Sequence, residues 1–194
     1  MTRKVFVRSL AVFAFFTVVC GVIYTFVVTG AAQALFPHQA NGSIIETESG
    51  RYSELIGQNF SDPEHLWGRP VSVTLVEVDG KKLAYGAPTN DSPASEEYAA
   101  KVDERVQRLR ETNPDAEGDV PVDLVTESGS GLDPQISVAA AEWQVPRVAK
   151  ARGISEDEVR AAVERHTTHK LLGIFGEEVV NVLEVNLDLD GELS

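Results

Sequence analysis

Two short stretches of this sequence carry side chains that could do chemistry, and neither has the spacing that catalysis needs. The first, Ser128-Gly129-Ser130-Gly131, lies in a glycine-bearing loop from Glu127 to Pro134. It lacks the G-x-S-x-G arrangement that activates a serine nucleophile, and the chain has no GxxxxGK[ST] phosphate-binding motif. We therefore predict a tight loop that requires positive φ angles rather than a hydrolytic site.

The second stretch, near the C-terminus, has two patterns that could bind a metal, at 166–169 and at 186–191. Both patterns are incomplete. His166 and His169 are three positions apart without the glutamate of an HExxH motif, so we expect two histidines at a helix end. Asn186-x-Asp188-x-Asp190-Gly191 is similar to the start of a calcium loop, but the surrounding alternation favours the solvent-facing side of a strand. The single cysteine, Cys20, excludes an intrachain disulfide and a cysteine cluster. The sequence thus predicts no catalytic residue and no metal ligand.

Two tryptophans are large apolar anchors that belong either to a core or to a contact surface. Trp67 and Trp143 are the only tryptophans, and a core position is the more common one. Together with Arg69, Gln144 and Arg147 they are our candidates for contacts with a partner.

The N-terminal part of the chain predicts a membrane anchor. No charged residue occurs in the 29 positions between Arg8 and His38, and a hydrocarbon core of about 30 Å takes about 20 helical residues. We predict a cytoplasmic segment 1–8, a transmembrane helix 9–36 and an extracytoplasmic domain 37–194. The alternative is a cleaved signal peptide, because Ala32-Gln33-Ala34 has the small-x-small form of a cleavage site. The apolar stretch, however, exceeds an h-region of about 7 to 15 residues.

Charge is divided unevenly along the chain. The first 37 residues hold Arg3, Lys4 and Arg8 and no acidic group, whereas the remaining 157 carry 14 Lys+Arg against 30 Asp+Glu. The positive-inside rule then places the N-terminus in the cytoplasm and the acidic domain outside, on a cell (inner) membrane. Such an acidic body repels phosphate backbones, which argues against nucleic-acid binding.

The domain itself predicts an α+β fold. Asp79-Gly80 between alternating segments, with Val71, Val73 and Leu75 before and Leu83 and Tyr85 after, indicates a β-hairpin. Ser92-Pro93 is typical of a helix start, and the stripe Tyr98, Val102, Val106 and Leu109 follows helical spacing up to Asn113-Pro114. The segment from Val120 to Thr126 is predicted to be extended.

Helix caps and a final strand complete the predicted domain. Ser137 caps an alanine-rich helix, Val138 to Gln144, which Pro146 interrupts or restarts and Gly153 closes. Ser155 and Glu158 form a capping box for another helix. From Leu183 onward apolar and polar residues alternate strictly, which predicts a half-buried strand.

Specific strings give the chain a family resemblance that covers nearly all of it. They are Phe36-Pro37 with Gln39-Ala40-Asn41-Gly42-Ser43, Leu55-Ile56-Gly57-Gln58-Asn59-Phe60, Gly68-Arg69-Pro70, the segments 120–126, 128–134 and 139–152, and the segment 179–190. In these strings the chain resembles the C subunits (KdpC) of bacterial Kdp potassium-transporting ATPases. It departs from the family at 83–95, where only a Gly-x-x-x-Asn remnant of the usual Ser-Asn-Leu-Gly segment is kept, and at Glu127 and Gln135.

The resemblance implies an accessory role in a membrane complex. Its other members would be a channel-like subunit that selects potassium (KdpA), an ATP-hydrolysing subunit (KdpB) and a small membrane peptide (KdpF). Members of the family are described as needed for assembly and activity, and as catalytic chaperones that raise the affinity of KdpB for ATP. The same description likens the loop with Ser128, Gly129, Ser130, Gly131 and Asp133 to an ATP-binding signature, which makes it the candidate functional loop.

Charge and topology favour an indirect effect on ATP. With the domain outside, cytoplasmic ATP lies a bilayer away, and the acidic body repels it, so we expect no directly bound cofactor. Potassium is then only the transported ion. We also hypothesise that Asp123, Glu127 and Asp133 concentrate cations over the outer mouth of the channel. Two alternatives stay open: an exported binding module or hydrolase cleaved after Ala34, and a cytoplasm-facing nucleotide-binding accessory.

Overall fold

The structure is a computed structural model that describes residues 2–70 and 73–193, with the side chains of residues 2, 73–75 and 82–85 outside the description. The chain divides into two units, Met1–Ile45 and Glu46–Ser194. The first is helical and the second mixes helices with short strands, so the predicted α+β class is confirmed for the described residues.

The N-terminal unit is dominated by one long helix. Helix α1 spans Thr2–Phe16, a π-helical segment spans Thr17–Ile23, and α2 spans Tyr24–Leu35. The stretch Arg3–Leu35 is long and apolar enough to cross a membrane, and none of its most apolar window is buried. A short helix, α3, follows at Pro37–Ala40. Exposed apolar side chains along such a length are consistent with a membrane-spanning helix.

Short strands and a hairpin follow along the chain, the first strand at the boundary of the two units. Strand β1 spans Ile44–Glu46 and β2 spans Arg51–Ser53. Strands β3 (Val73–Val78) and β4 (Lys81–Gly86) pair antiparallel. Both residues of the connecting turn, Asp79 and Gly80, have positive φ, as a two-residue hairpin requires. The predicted hairpin is confirmed, except that Val71 lies outside the described residues.

Two predictions for residues 92–126 are wrong: the start of helix α4 and the extended segment from Val120 to Thr126. The helix spans Glu96–Thr112, and its N-cap is Ser95, whose hydroxyl accepts from the Tyr98 amide. Ser92 instead supplies the carbonyl that accepts from Ser95, so the predicted start at Ser92-Pro93 is three residues too early. The segment predicted as extended forms a 3₁₀ turn at Val122–Leu124.

Three helices follow the predicted cap chemistry. Ser137 caps α5 (Val138–Glu142), and α6 (Val145–Arg152) restarts with Pro146 in its first turn and ends at Gly153 with a positive φ. The capping box of Ser155 and Glu158 opens α7 (Glu156–Arg165). These predictions are confirmed because each depends on local chemistry alone.

The predicted C-terminal strand is wrong. A three-stranded sheet is formed by β5 (Gln135–Ser137), β7 (Val179–Asn181) and β6 (Thr167–Thr168), with β7 in the centre. The chain then turns into helix α8, Val182–Leu189, with Asn181 as its N-cap. The alternation fails as a guide because α8 buries almost all of its surface, including the polar Asn186. The core lies among α5–α8, the sheet and the C-terminal part of α4.

Candidate functional site

Three of the strings that carry the family resemblance, 55–60, 68–70 and 179–190, contact one loop, residues 128–134, which we call the SGSG loop. The Gly57 amide donates to the Leu132 carbonyl at 2.8 Å. A Cβ added to Gly57 would lie 2.6 Å from the Asp133 carbonyl oxygen, closer than real contacts allow. Only glycine therefore lets the segment around residue 57 approach the loop backbone.

Serine hydroxyls close the SGSG loop on itself. The Gly131 amide donates to Ser128 Oγ at 3.0 Å, and the Leu132 amide donates to Ser130 Oγ at 3.1 Å. Gly131 is buried with a φ of 68°. The tight loop with positive φ predicted from the sequence is confirmed, and two of its amides bond to its own hydroxyls rather than pointing at a ligand.

Arg69 ties the SGSG loop to the neighbouring 3₁₀ turn. Its Nη2 lies 2.6 Å from Asp123 Oδ1, and its Nε lies 3.3 Å from Asp133 Oδ2. The second Asp123 oxygen accepts from the Ser137 amide at 2.9 Å, at the start of α5. Burial works to raise the pKa of Asp123, but the Ser137 hydrogen bond and the Arg69 charge outweigh it and lower that pKa.

Arg105 of α4 makes a second bridge to the same region. It forms an ion pair with Glu127, and its Nη1 donates to the Val125 carbonyl at 2.8 Å. The hydrogen bond from Arg105 lowers the pKa of Glu127. Glu127 is therefore an anion held against an arginine.

These pairs change the interpretation of the three acidic residues named from the sequence. Asp123, Glu127 and Asp133 each face a guanidinium, so their charges are largely neutralised where they stand. Locally paired carboxylates contribute little to a long-range cation potential. Amide substitutions at these positions would test the fold rather than cation concentration.

A cleft of about 210 Å³ opens beside the bridges, between the start of the domain and α4. Arg69, Arg105 and Arg108 line it together with Trp67 and Gln58. The Arg108 guanidinium lies 5.1 Å from the Trp67 ring centroid, within cation–π range. Two of these three arginines, Arg69 and Arg105, are already paired with carboxylates.

Two buried amide side chains hold the backbone of Leu66 and Trp67. Sequence reasoning missed this role for both, since it placed Asn186 on a strand and named Gln144 as a candidate partner contact. Asn186 accepts from the Leu66 amide at 2.7 Å and donates to its carbonyl at 2.9 Å. Gln144 does the same for Trp67, at 2.8 and 3.0 Å. Each side-chain amide thus satisfies both the N–H and the C=O of one of these two residues. The sequence hints at this role only in that Asn186 and Gln144 are polar residues with apolar residues on both sides.

The candidate partner contacts lie mostly inside the fold. Trp67 and Trp143 are 9% and 8% exposed, which confirms the core interpretation of the tryptophans, and Gln144 is fully buried. Arg147 is 6% exposed, donates to the Pro63 carbonyl and lies over Trp67, and burial lowers its pKa to about 10. All four side chains pack into the core of the domain, and their role as partner contacts stays a prediction. Only Arg69 keeps a partly exposed side chain.

The histidines and carboxylates near the C-terminus contact one another or an arginine. His166 lies between Glu184 and Asp188, at 3.1 and 3.0 Å. Asp190 pairs with Arg152 at 2.6 Å and with His65 at 3.0 Å. Among the described residues no three His, Cys, Asp or Glu side chains are grouped so that they could hold a metal ion.

Comparison with known proteins gives this architecture a family context. A family profile described as "KdpC: K+-transporting ATPase, c chain" matches residues 6–191. A potassium-transporting ATPase KdpC subunit of Clostridium botulinum (strain Alaska E43 / Type E3) is 51% identical over 196 residues, which cover 98% of each chain. The KdpC subunit of Herpetosiphon aurantiacus is 45% identical over 189 residues, covering 97% of this chain and 96% of that one. That of Sorangium cellulosum is 51% identical over 173 residues, covering 88% and 89%. These relatives give no support to an exported hydrolase or binding module.

Proposed function

This chain belongs to the KdpC family of potassium-transporting ATPase subunits, and from that premise we propose how it is placed in the complex. It is an accessory subunit of the potassium uptake complex. We propose that it crosses the cell membrane once, with residues 1–8 in the cytoplasm, 9–36 in the bilayer and 37–194 outside. Its partners in this proposal are the channel-like subunit KdpA, the ATP-hydrolysing subunit KdpB and the small peptide KdpF.

The observation that carries this placement is the charge asymmetry about the apolar helix. Arg3, Lys4 and Arg8 precede it, and the chain beyond residue 37 is strongly acidic. Basic residues are retained on the cytoplasmic side during insertion. Length favours an uncleaved anchor, since the stretch Arg3–Leu35 forms 33 residues of helix, longer than a signal h-region of about 7 to 15 residues.

We further propose that the subunit carries out no bond-making step. The SGSG loop supports this role, because the amides of Gly131 and Leu132 bond to its own serines. The arginines of the cleft support it too, because Arg69 and Arg105 are already paired with carboxylates. Any effect on the ATP affinity of KdpB is then indirect coupling through the assembly, with no cofactor bound to this chain.

Thiol labelling of the intact cell tests the placement. In a Cys20→Ser background, Glu117→Cys places a thiol on an exposed loop of the domain, and Thr2→Cys places one before the apolar helix. A membrane-impermeant maleimide should label Glu117→Cys in spheroplasts and Thr2→Cys only after permeabilisation.

The matched pair also contains its own controls. Labelling of both variants in permeabilised cells shows that each thiol is reactive. Labelling of Thr2→Cys alone in intact spheroplasts would place the domain on the ATP side and overturn the proposal. Release of the labelled domain as a soluble protein would instead indicate cleavage after Ala34.

A further inference from the structure

A hairpin tip between β6 and β7 presents large apolar side chains to solvent. Residues 171–175 contribute four of them, and their exposed fractions are 69% for Leu171, 81% for Leu172, 76% for Ile174 and 62% for Phe175. We call residues 171–175 the apolar tip. Outside the N-terminal helix, no other described run concentrates so many exposed large apolar side chains. Contiguous exposed apolar groups on a soluble domain commonly mark an interaction site.

The apolar tip is held in place by backbone hydrogen bonds. Leu171 and Phe175 exchange two bonds, at 2.8 and 3.0 Å, and the Gly173 amide donates to the Lys170 carbonyl at 3.0 Å. An ion pair of 3.2 Å between Lys170 and Glu177 closes the base. The tip is therefore preorganised, and burial of its own side chains plays no part in its order.

The strained backbone of Leu172 indicates that the leucine side chain has a function at this position. Leu172 has a φ of 55°, in the left-handed region that is strained for a residue with a Cβ atom. Glycine or asparagine would fit this turn position with less strain. An 81%-exposed leucine gains nothing from its own domain in return. Strain kept at a surface position is evidence that the side chain acts outside the domain.

Charge around the tip argues for a protein occupant. Glu164, Glu177 and Glu178 surround its base, and the two histidine contacts there, His169 to Glu164 and to Glu178, are 3.3 Å each. An anionic lipid surface would repel this rim and the acidic domain behind it. Lys170 stands against Glu164, Glu177 and Glu178 at this base, so the base has more acidic than basic side chains, the reverse of what a tip inserted into an anionic membrane would carry.

Size and shape argue against a second copy of the chain. A stable two-fold interface buries about 800 Å² on each partner. A convex tip of five residues cannot supply that area against an identical convex tip. It fits a concave pocket.

On the basis of the proposed function, we propose that the apolar tip inserts into an apolar pocket with a basic rim on the outer face of another subunit of the same transport complex. Leu172, Ile174 and Phe175 are the anchoring side chains. Glu177 and Glu178 face the basic rim. Buried apolar anchors surrounded by charge are the usual form of a small interface with a few dominant contacts.

Retention in the purified complex tests this proposal. The test variant combines Leu172→Asn, Ile174→Thr and Phe175→Thr, which keep the turn and strand preferences while removing the apolar groups. The matched control combines Leu55→Asn and Val122→Thr, which are 57% and 65% exposed elsewhere on the domain. Complexes are purified through a tag on the ATP-hydrolysing subunit, and the amount of this chain is quantified.

We expect the tip variant to fall at least tenfold below wild type in the purified complex, with the control unchanged. Equal retention of the tip variant would overturn the proposal while leaving the proposed function intact. Failure of the wild-type chain itself to co-purify would contradict the proposed function instead. Tip-dependent binding of the full chain to phosphatidylcholine vesicles, or tip-dependent dimers of the chain alone, would also overturn it.

A second measurement is independent of any folding defect. The photoreactive amino acid p-benzoylphenylalanine is incorporated during synthesis at position 174 or, as the control, at position 122, so that the probe is present before the complex assembles. Illumination should cross-link position 174, and not 122, to another subunit of the complex. Absence of a subunit cross-link from chains that carry the probe at position 174 would overturn the proposal.

Discussion

Replacing Asn186 by leucine should destabilise the domain more than any surface change. The substitution keeps a similar shape but leaves the amide and carbonyl of the fully buried Leu66 without their side-chain partners. Each unsatisfied buried group costs about 1–3 kcal/mol, so the expected loss is about 2–6 kcal/mol of the free energy of unfolding. Total stabilities are about 5–15 kcal/mol, so this loss is a large share.

Urea unfolding of the full chain in detergent, followed by fluorescence of Trp67 and Trp143, measures that loss. Gln107→Leu on the exposed face of α4 is the matched control and should change stability by no more than about 0.5 kcal/mol. Asn186→Asp keeps the acceptor for the Leu66 amide but places a carboxylate in a fully buried position.

The aspartate variant adds a signature in pH. Burial raises the pKa of a carboxyl at this site above its unfolded value of about 3.9, so its penalty relative to wild type should grow as the pH rises from about 4 to 7. A cost below about 1 kcal/mol for Asn186→Leu, or a pH-independent penalty for Asn186→Asp, would refute the two-bond account of this residue.

Two further predictions follow from the site. The pKa values of Asp123, Glu127 and Asp190 are lowered in the folded chain, so their stabilising contribution is present above their unfolded values of about 4 and is lost as the pH falls through the folded ones. Thermal unfolding should therefore show a falling Tm below about pH 4, and a Tm that is constant from pH 6 to 3 would contradict this. Gly57→Ala should displace the SGSG loop and cost about 1–3 kcal/mol, measured by urea unfolding, whereas Gly129→Ala, which meets no atom within 4 Å, should be nearly neutral.

Local chemistry in the sequence predicts much of this fold. The hairpin at Asp79-Gly80, the caps at Ser137 and Ser155 and the helix end at Gly153 each depend on residues within one turn, and all are confirmed. The tight SGSG loop is likewise confirmed, because its serines bond to amides two or three positions away.

What the sequence does not predict depends on partners far along the chain. Leu183, Val185 and Leu187 fit a strand period, but α8 is surrounded by core and buries them as a helix. Asn186 lies 120 positions from the backbone that it holds, and Arg69 lies 54 positions from Asp123. Sequence periodicity gives no information about such distant pairs. From the sequence, Asp123, Glu127 and Asp133 are therefore interpreted as unpaired, whereas the structure pairs each of them with an arginine.

The π-helical segment Thr17–Ile23 has a consequence for the helix that contains it. A π-helical turn accommodates one residue more than an α-helical turn, and one residue turns an α-helix by about 100°. The Thr17 hydroxyl donates to the Phe13 carbonyl at 2.8 Å where this wider winding begins. Over its seven residues the wider winding turns the chain through a smaller angle than α-helical winding of the same residues would, so the side chains from Tyr24 to Leu35 point in other directions around the axis than a regular helix would give them. The relative azimuths of α1 and α2 are thus set by the winding of this one segment.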